Sequence, residues 1–185
     1  IRPLVQNAIA NKEFPGCQVL VARKGKVVYY EAFGNLEYSY GEPVSLHTIY
    51  DLASVTKVAS TVQAMMMLYD QKLVDINKPI SFYLPELLFT NKQDLTIKDI
   101  LLHQSGLRSF MPLYEQTKMD HQGLNPYYFS MTPKNSDYSE IAENMYVNPA
   151  LKDSVYSWIA GSSLIDSPGK RYVYSDLGLM LLQRL

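Results

Sequence analysis

The alternation of apolar and polar positions predicts a helix and then a β-hairpin at the start of the chain. Residues 1–12 place apolar side chains three and four positions apart, and Phe14-Pro15-Gly16 ends this helical stripe. Two β-rich runs follow, Cys17 to Arg23 and Lys26 to Phe33. They flank Lys24-Gly25, a two-residue loop in which glycine can adopt a positive φ, so we expect an antiparallel pair.

One short strand and two helices are predicted between Thr48 and Gly106. Thr48 to Leu52 is predicted to be a short strand, and a long helix from Ala53-Ser54 to Tyr69 follows it. That helix has few charges and is expected to be buried. Thr96 is a suitable N-cap for a short helix from Ile97 to Leu102, which should end at His103-Gln104-Ser105-Gly106.

The segment from 108 to 150 has a different texture. Tyrosine, proline and polar residues dominate it, and periodicity returns only near Tyr138 to Tyr146, where a helix is predicted. The tyrosines are Tyr114, Tyr127, Tyr128, Tyr138 and Tyr146. A long polar and aromatic insertion of this kind is expected to form a lid or wall over a cleft.

The C-terminal part predicts helix, strand and helix. A helix near Leu151 to Ala160 leads to Ser167-Pro168-Gly169, a β-prone run from Arg171 to Tyr174, and a helix from Asp176. The last pattern is still running at Leu185 without a cap, so the fold is expected to be C-terminally truncated. The chain also opens without methionine, which we interpret as trimming from a longer precursor.

Composition narrows the classes of function. A hydrophobic fraction of 47% suits a packed core, and a formal charge of −1 gives no bulk attraction to nucleic acid or an anionic membrane. No apolar run is long enough to predict a transmembrane segment. The one cysteine, Cys17, lies in an apolar run and is expected to be a buried structural thiol. A small-molecule partner is therefore favoured.

The candidate chemistry begins with Ser54-Val55-Thr56-Lys57, which matches S-x-x-K. On a helix, positions i and i+3 share a face, so the hydroxyl and the ammonium can meet. With 16 serines and 12 lysines, about one such match is expected by chance. A second match, Ser167-Pro168-Gly169-Lys170, is rejected because proline and glycine deny it a helix.

Two interpretations of Ser54 and Lys57 follow from the residues alone. In one, Ser54 is only a helix N-cap and Lys57 lies on a solvated face. In the other, Lys57 lies among Val58, Ala59 and Val62, and burial beside a second cation lowers its pKa enough to activate the serine. The strand before Ser54 and the nearly uncharged helix after it favour the second.

In its ordered motifs the sequence resembles the serine β-lactamase-like and penicillin-binding-protein family, which includes class C β-lactamases, D-alanyl-D-alanine carboxypeptidases and esterases. The matching blocks are Phe14-Pro15-Gly16 leading into residues 27–34, Ser54 to Lys57, Leu101 to Leu107, and Pro168-Gly169 through Tyr174 to Gly178. The tyrosine-rich insertion is also similar to β-lactamase-like domains that some gut bacteria fuse to a family 3 glycoside hydrolase.

The resemblance implies roles for four residues. Ser54 would be acylated, Lys57 would share its proton, and Tyr174 would act as general base and acid. Asp176 stands where the family usually has an asparagine that donates to the substrate, and an ionised aspartate cannot donate. From the residues alone, the favoured interpretation of Tyr174 is one packed aromatic among fifteen tyrosines, and Asp176 is equally an N-cap of the last helix.

The histidines are not expected to be catalytic. His103 lies in the Leu-Leu-x-His-x-Ser-Gly-Leu turn, which the resemblance makes structural, and no G-x-S-x-G elbow is present. His47 and His121 show no metal-ligand spacing, so neither a metal nor a cofactor is expected.

One element of the family pattern is missing from the sequence. A Lys-Thr-Gly or His-x-Gly motif would contribute a backbone donor to the oxyanion hole, and nothing after Tyr174 matches it. We therefore expect a single incomplete α/β (α+β) domain of β-lactamase/transpeptidase type over 1–185. Its parts are 1–53 with a helix and sheet, 54–170 mainly helical with the insertion 108–150, and 171–185 returning to the cleft.

Three functions remain open at this point. The parent protein, a periplasmic or extracellular one by resemblance, could be a hydrolase of amides or esters such as a β-lactam, a D-amino-acid peptide or a small ester. It could instead be a penicillin receptor that is acylated without release, or an inert scaffold domain in a longer multidomain chain. A small-molecule or peptidoglycan-derived substrate is expected, and this piece alone should be weakly active because an oxyanion donor is missing.

Overall fold

A computed structural model describes residues 1–39, 41–119 and 123–185, in two compact units, Ile1–Ala53 and Ser54–Leu185. The α+β class is confirmed, with helices beside antiparallel strands. The helices are α1 (Arg2–Ala10), α2 (Val62–Asp70), α3 (Ile97–Leu101), α4 (Ala150–Gly161) and α5 (Asp176–Leu182). The strands are β1 (Gly16–Arg23), β2 (Lys26–Gly34), β3 (Lys118–Met119), β4 (Gly123–Leu124), β5 (Phe129–Ser130), β6 (Ser139–Ala142) and β7 (Met145–Val147).

The first unit consists of α1 and the predicted hairpin. Strand β1 pairs antiparallel with β2, from Gly16 opposite Gly34 to Arg23 opposite Lys26. Lys24 and Gly25 have φ values of 49° and 75°, and two positive values are what a type I′ turn requires. The helix and the hairpin are therefore confirmed.

The strand predicted at Thr48 to Leu52 is wrong. No described strand pairs with this segment. Instead, the side chain of Gln18 binds backbone carbonyl oxygens at its start and just before it. Gln18 Nε2 donates to the carbonyl oxygens of Ser45 at 2.6 Å and Thr48 at 2.9 Å. Cys17 is half-buried in β1 rather than fully buried, and burial raises its pKa.

The core of the second unit forms where α3, α4 and α5 pack together. Its most buried apolar side chains are Ile80, Leu87, Leu95, Ile97, Ile100, Leu107, Ile159, Leu177 and Leu181. Gly178 allows a close approach of α5 to α3, because a Cβ atom there would lie only 2.8 Å from Cγ2 of Ile100. This packing fixes the N-terminal end of α5 relative to the end of α3.

The helical stretch after Ser54 exists, but the prediction that it is buried is wrong. It begins at Val55, passes through a π-helical segment over Lys57–Thr61 and continues as α2. Only Met65 is buried in α2, whereas Met66 and Met67 are 58% and 63% exposed. A low charge content shows that a helix can be buried, but burial requires a partner element on that face.

The helix predicted near Tyr138 to Tyr146 is also wrong, because the segment forms the antiparallel pair β6 and β7. Asn144 has a φ of 55°, a conformation that asparagine tolerates, and its N–H bonds Oε1 of Glu140. A turn at Asn144 thus reverses the chain where a helix would have continued. The two-residue strands β3 and β4 pair with each other, and β5 pairs with β7.

The last segment differs from expectation at two places. The run from Arg171 to Tyr174 is extended but pairs with no strand of the described residues, and the N–H of Val173 donates to the carbonyl of His103 at 2.8 Å. Helix α5 ends at Leu182 rather than continuing through Leu185. None of the helices in the described ranges has both the length and the apolarity needed to cross a bilayer.

Candidate active site

Ser54 and Lys57 are brought together at the start of the helical stretch. Lys57 Nζ donates to Ser54 Oγ at 3.1 Å, as i,i+3 spacing predicts. Ala53, directly before the serine, has a φ of 43°, a conformation that a non-glycine residue rarely adopts. Nothing in the sequence signals this strained residue, although strained backbone often accompanies a nucleophile.

Lys57 also forms an ion pair with Asp176. Its Nζ lies 2.7 Å from Oδ1 of Asp176, at angles outside those of a directed hydrogen bond. The pKa of Lys57 is raised, first by the Asp176 carboxylate and then by Tyr174, against the effect of burial. The expectation of a lysine with a lowered pKa is therefore wrong, because its neighbour is a carboxylate and not a second cation.

Tyr174 has the opposite perturbation. Its pKa is lowered, first by a hydrogen bond with Ser54 and then by one with Lys57, while burial and the charge of Asp176 act in the opposite direction. Lys57 Nζ lies 5.3 Å from the centre of the tyrosine ring, which is 38% exposed. The ammonium thus stabilises the phenolate, and the phenol oxygen can accept the proton of the serine.

Asp176 is not the N-cap of α5. Ser175 occupies that position, without a side-chain cap, and Asp176 is the first helical residue. A carboxylate in the first turn interacts favourably with the helix dipole, and here it also pairs with Lys57.

The turn after α3 holds the segment that carries Tyr174 and Asp176. The N–H of His103 bonds the carbonyl of Ile100 at 3.0 Å, and the N–H of Gln104 bonds that of Asp99 at 2.7 Å. These two bonds form a Schellman motif, which places His103 at a φ of 54°. The predicted helix end is confirmed, with His103 and not a glycine in the left-handed position.

Residues 103–109 bind the backbone of the Tyr174 segment, and Ser175 Oγ also donates to the carbonyl of Arg108 at 2.8 Å. The N–H of Ser175 bonds Nδ1 of His103 at 3.1 Å, and the N–H of Val173 bonds the carbonyl of the same residue. The N–H of Asp176 bonds the carbonyl of Ser109 at 3.0 Å. The turn after α3 therefore holds the backbone of the Tyr174 segment in place. This is the structural role expected for the turn that contains His103.

Three further groups were considered in the sequence, namely the second S-x-x-K match, His47 and His121. Ser167-Pro168-Gly169-Lys170 forms no helix, in agreement with its rejection. His47 lies in an exposed turn, and His121 lies outside the described residues. Within the part of the chain that the structure describes, no three His, Cys, Asp or Glu side chains are grouped as metal ligands.

Comparison with known proteins identifies the family of the chain. The beta-lactamase family model matches residues 1–185. An N-acetylmuramyl-L-alanine amidase of Bacillus subtilis (strain 168) is 28% identical, over 91% of this chain and 36% of its own. A teichoic acid D-alanine hydrolase of Staphylococcus aureus (strain MRSA252) is 25% identical, over 77% of this chain and 34% of its own.

A solved structure shows the same fold. The octameric penicillin-binding protein homologue from Pyrococcus abyssi superposes with a TM-score of 0.68 and 21% identity, over 98% of this chain and 36% of that one. The chain spans about a third of the length of the curated relatives it matches. Since the family model covers every residue and the fold is of the β-lactamase/transpeptidase type, the chain belongs to the beta-lactamase family.

Proposed function

We propose that the protein is a serine hydrolase that cleaves an amide or ester through an acyl-Ser54 intermediate. The observation that carries this proposal is the 3.1 Å contact between Lys57 Nζ and Ser54 Oγ, beside a tyrosine whose pKa both residues lower. An isolated N-cap serine would have no such neighbours. The relatives named as an amidase and a hydrolase support the reaction class.

In the acylation step, Ser54 Oγ attacks the carbonyl carbon and its proton passes to the Tyr174 phenolate. The bond from Oγ to the carbonyl carbon forms, and the tetrahedral intermediate then breaks its bond to the leaving group, which takes the proton back from Tyr174. Lys57 remains an ammonium throughout, because its raised pKa keeps it protonated at neutral pH. Its charge stabilises the phenolate form of the base.

Deacylation reverses these roles. Water attacks the acyl carbon, transfers a proton to Tyr174, and the ester bond to Ser54 Oγ breaks as that oxygen is reprotonated. A protein that lacks this second step would stop as a penicillin receptor. The same geometry therefore allows either a hydrolase or a penicillin receptor. The rate at which the acyl group is released from Ser54 distinguishes the two.

Asp176 favours a substrate that brings its own hydrogen-bond donor. Its carboxylate accepts hydrogen bonds and cannot supply the amide donor of an asparagine. The ion pair of Asp176 and Lys57 has no net charge, so it attracts a substrate carboxylate only weakly. D-alanyl esters carry an ammonium donor, and one relative is a teichoic acid D-alanine hydrolase, so an ester or amide of D-alanine is the substrate class we propose.

A cell-wall substrate places the protein in the periplasm or outside the cell. The names of the amidase and the D-alanine hydrolase relatives support this location. The tyrosine-rich insertion over 108–150 would then form the wall of the substrate cleft, in a protein that can carry further domains.

Steady-state assays of the full-length protein test the proposal. We expect release of D-alanine from an activated D-alanyl ester, and slower turnover of a chromogenic cephalosporin, with both activities lost in Ser54→Ala. A stoichiometric burst without turnover would indicate the receptor function. A folded protein that neither turns over nor forms an adduct with any of these substrates would favour the scaffold function.

A further inference from the structure

His103 makes more contacts with the active-site segment than a helix-terminating residue needs. Its carbonyl accepts the N–H of Val173 and its Nδ1 accepts the N–H of Ser175, so one residue binds the backbone on both sides of Tyr174. Its ring also lies against that of Tyr174, with ring centres 4.6 Å apart, and meets Tyr172 edge-on at 5.7 Å. Tyr174 is thus held from three directions by one side chain and its backbone.

The bond to Ser175 fixes the protonation state of the ring. A ring nitrogen that accepts an N–H must lack a proton, so His103 is neutral with its proton on Nε2. Ser175 is only 1% exposed, so water cannot readily replace the acceptor if it is lost. Protonation of Nδ1 would place two donors face to face and break the bond between His103 and the Ser175 N–H.

We propose that His103 is a positioning residue that keeps Tyr174 within reach of Ser54 and Lys57, and that it does so only in its neutral form. The inference rests on the proposed role of Tyr174 as the base. His103 acts through the Ser175 N–H and touches no reacting atom.

The charged and titratable groups that face His103 favour the neutral ring. Lys57 approaches from the helical stretch, Asp176 from the start of α5, and Tyr172 and Tyr174 from the extended segment. The pKa of His103 is lowered by burial first and by Lys57 second, and Asp176 opposes them. The acceptor is therefore present at neutral pH and is lost only below the ordinary histidine pKa of about 6.5.

Two substitutions at residue 103 test the hydrogen-bond acceptor of the side chain separately from the positive φ of the backbone. Residue 103 has a φ of 54°, which both asparagine and glycine tolerate. In His103→Asn, the side-chain oxygen can accept the Ser175 N–H in place of Nδ1 and does not titrate. In His103→Gly, the turn geometry is kept and the acceptor is removed. The pair is matched for backbone strain and differs in the hydrogen bond.

The experiment measures Tyr174 directly, in the full-length protein, by NMR titration of ¹³Cζ-labelled tyrosine, with Tyr174→Phe identifying the resonance. The rate of Ser54 phosphonylation by a fluorophosphonate is measured in parallel between pH 5 and 9. We expect a Tyr174 pKa below 10 in wild type and His103→Asn, and a return toward 10 in His103→Gly with a phosphonylation rate about 10 to 100 times lower. Below about pH 6.5, wild type should lose an additional fraction of its rate that His103→Asn retains.

The outcomes distinguish this inference from the proposed function. A Tyr174 pKa and a phosphonylation rate that are the same in His103→Gly as in wild type would overturn the positioning role, and so would His103→Asn behaving like His103→Gly. Failure of wild type to react at Ser54, with the Tyr174 pKa still dependent on residue 103, would refute the hydrolase and leave the positioning role standing.

Discussion

At the scale of single residues, the site is an electrostatic arrangement in which the ammonium of Lys57 lies near both the Asp176 carboxylate and the Tyr174 phenol. Lys57 pairs with Asp176 at 2.7 Å and also lowers the pKa of Tyr174. Because Asp176 raises the pKa of both Lys57 and Tyr174, it keeps the ammonium charged but makes the phenolate harder to form. Its replacement should therefore be visible in the pH dependence of acylation.

We predict that Asp176→Asn moves the acid limb of the acylation profile to lower pH. Without the carboxylate, the pKa of Tyr174 falls further, so the base is available at lower pH. Asparagine also restores an amide donor, so β-lactam turnover should increase. Stopped-flow acylation between pH 5 and 9 measures the first effect.

Asp70→Asn is the matched control for that prediction. It removes the same charge from the exposed end of α2. The control should keep the wild-type profile. An Asp176→Asn profile that coincides with wild type would mean that the carboxylate does not influence the base.

The residue pattern predicted which groups meet, but not their ionisation. Spacing of three on a helix was enough to place Lys57 beside Ser54. The direction of the Lys57 pKa depended on Asp176, more than a hundred positions away, and a local pattern contains no information on such a pair. The same limit applies to His103, whose bond to Ser175 joins two distant segments.

At the scale of elements, the active-site segment is positioned by the contact of α5 with α3. Gly178 → Ala should cost about 1 to 3 kcal/mol through overpacking, because the new Cβ would meet the buried Ile100 at 2.8 Å. The gain in helix propensity, about 1 kcal/mol, offsets this only in part. Urea denaturation of the full-length variants measures the change.

Two further variants test whether the clash is the cause. Ile100→Ala removes the opposing methyl group, so the cost of Gly178→Ala should shrink in that background. Gly161→Ala, at the end of α4 with nothing within 4 Å of the new Cβ, should be neutral or stabilising. Equal costs for Gly178→Ala in both backgrounds would contradict the packing account.

A buried lysine, Lys92, links the loop before α3 to the end of α4. Lys92 is fully buried, and its Nζ donates to Asn91 Oδ1 at 2.6 Å and to the carbonyl of Ser162. Burial first and Arg108 second lower its pKa to about 8. Between about pH 8 and 10.5 the unfolded chain holds this proton and the folded chain does not, so the contribution of Lys92 to stability rises with pH.

We predict that Lys92→Met removes this rise. The free energy of unfolding of wild type relative to Lys92→Met should increase by roughly 2 to 3 kcal/mol between pH 7.5 and 10.5. Lys98→Met, at an exposed position of α3, is the control and should show no such trend. A flat difference for Lys92→Met, measured by urea denaturation at several pH values, would contradict the buried charge.

Elements with strong local signals were predicted, and elements that depend on partners were not. The hairpin at Lys24-Gly25 and the N-cap at Thr96 are local, and both are present. The strand expected over Thr48 to Leu52 is wrong, because the Gln18 side chain binds the carbonyl of Thr48. The helix expected near Tyr138 to Tyr146 is wrong, because the chain turns at Asn144. The prediction that the helix after Ser54 is buried is wrong for the same reason, because burial requires a partner element packed against that helix.

At the scale of the whole molecule, the proposed catalytic groups all belong to the second compact unit. Ser54, Lys57, Tyr174 and Asp176 lie within Ser54–Leu185, so one unit carries the proposed nucleophile, cation and base. The ordered motifs predicted the family because they sample the entire chain, and the family model matches residues 1–185. Substrate choice could not be predicted from the same motifs, because they describe the reacting groups and not the cleft wall.

The most direct test of the central claim is mass spectrometry of the full-length protein after reaction with a fluorophosphonate, with peptide mapping. Ser54 Oγ should displace fluoride from phosphorus and give a single adduct on Ser54. Ser54→Ala should give no adduct, while Ser60→Ala, at an exposed serine on the same helical stretch, should be modified like wild type. An adduct on another residue, or none on folded protein, would contradict Ser54 as an activated nucleophile.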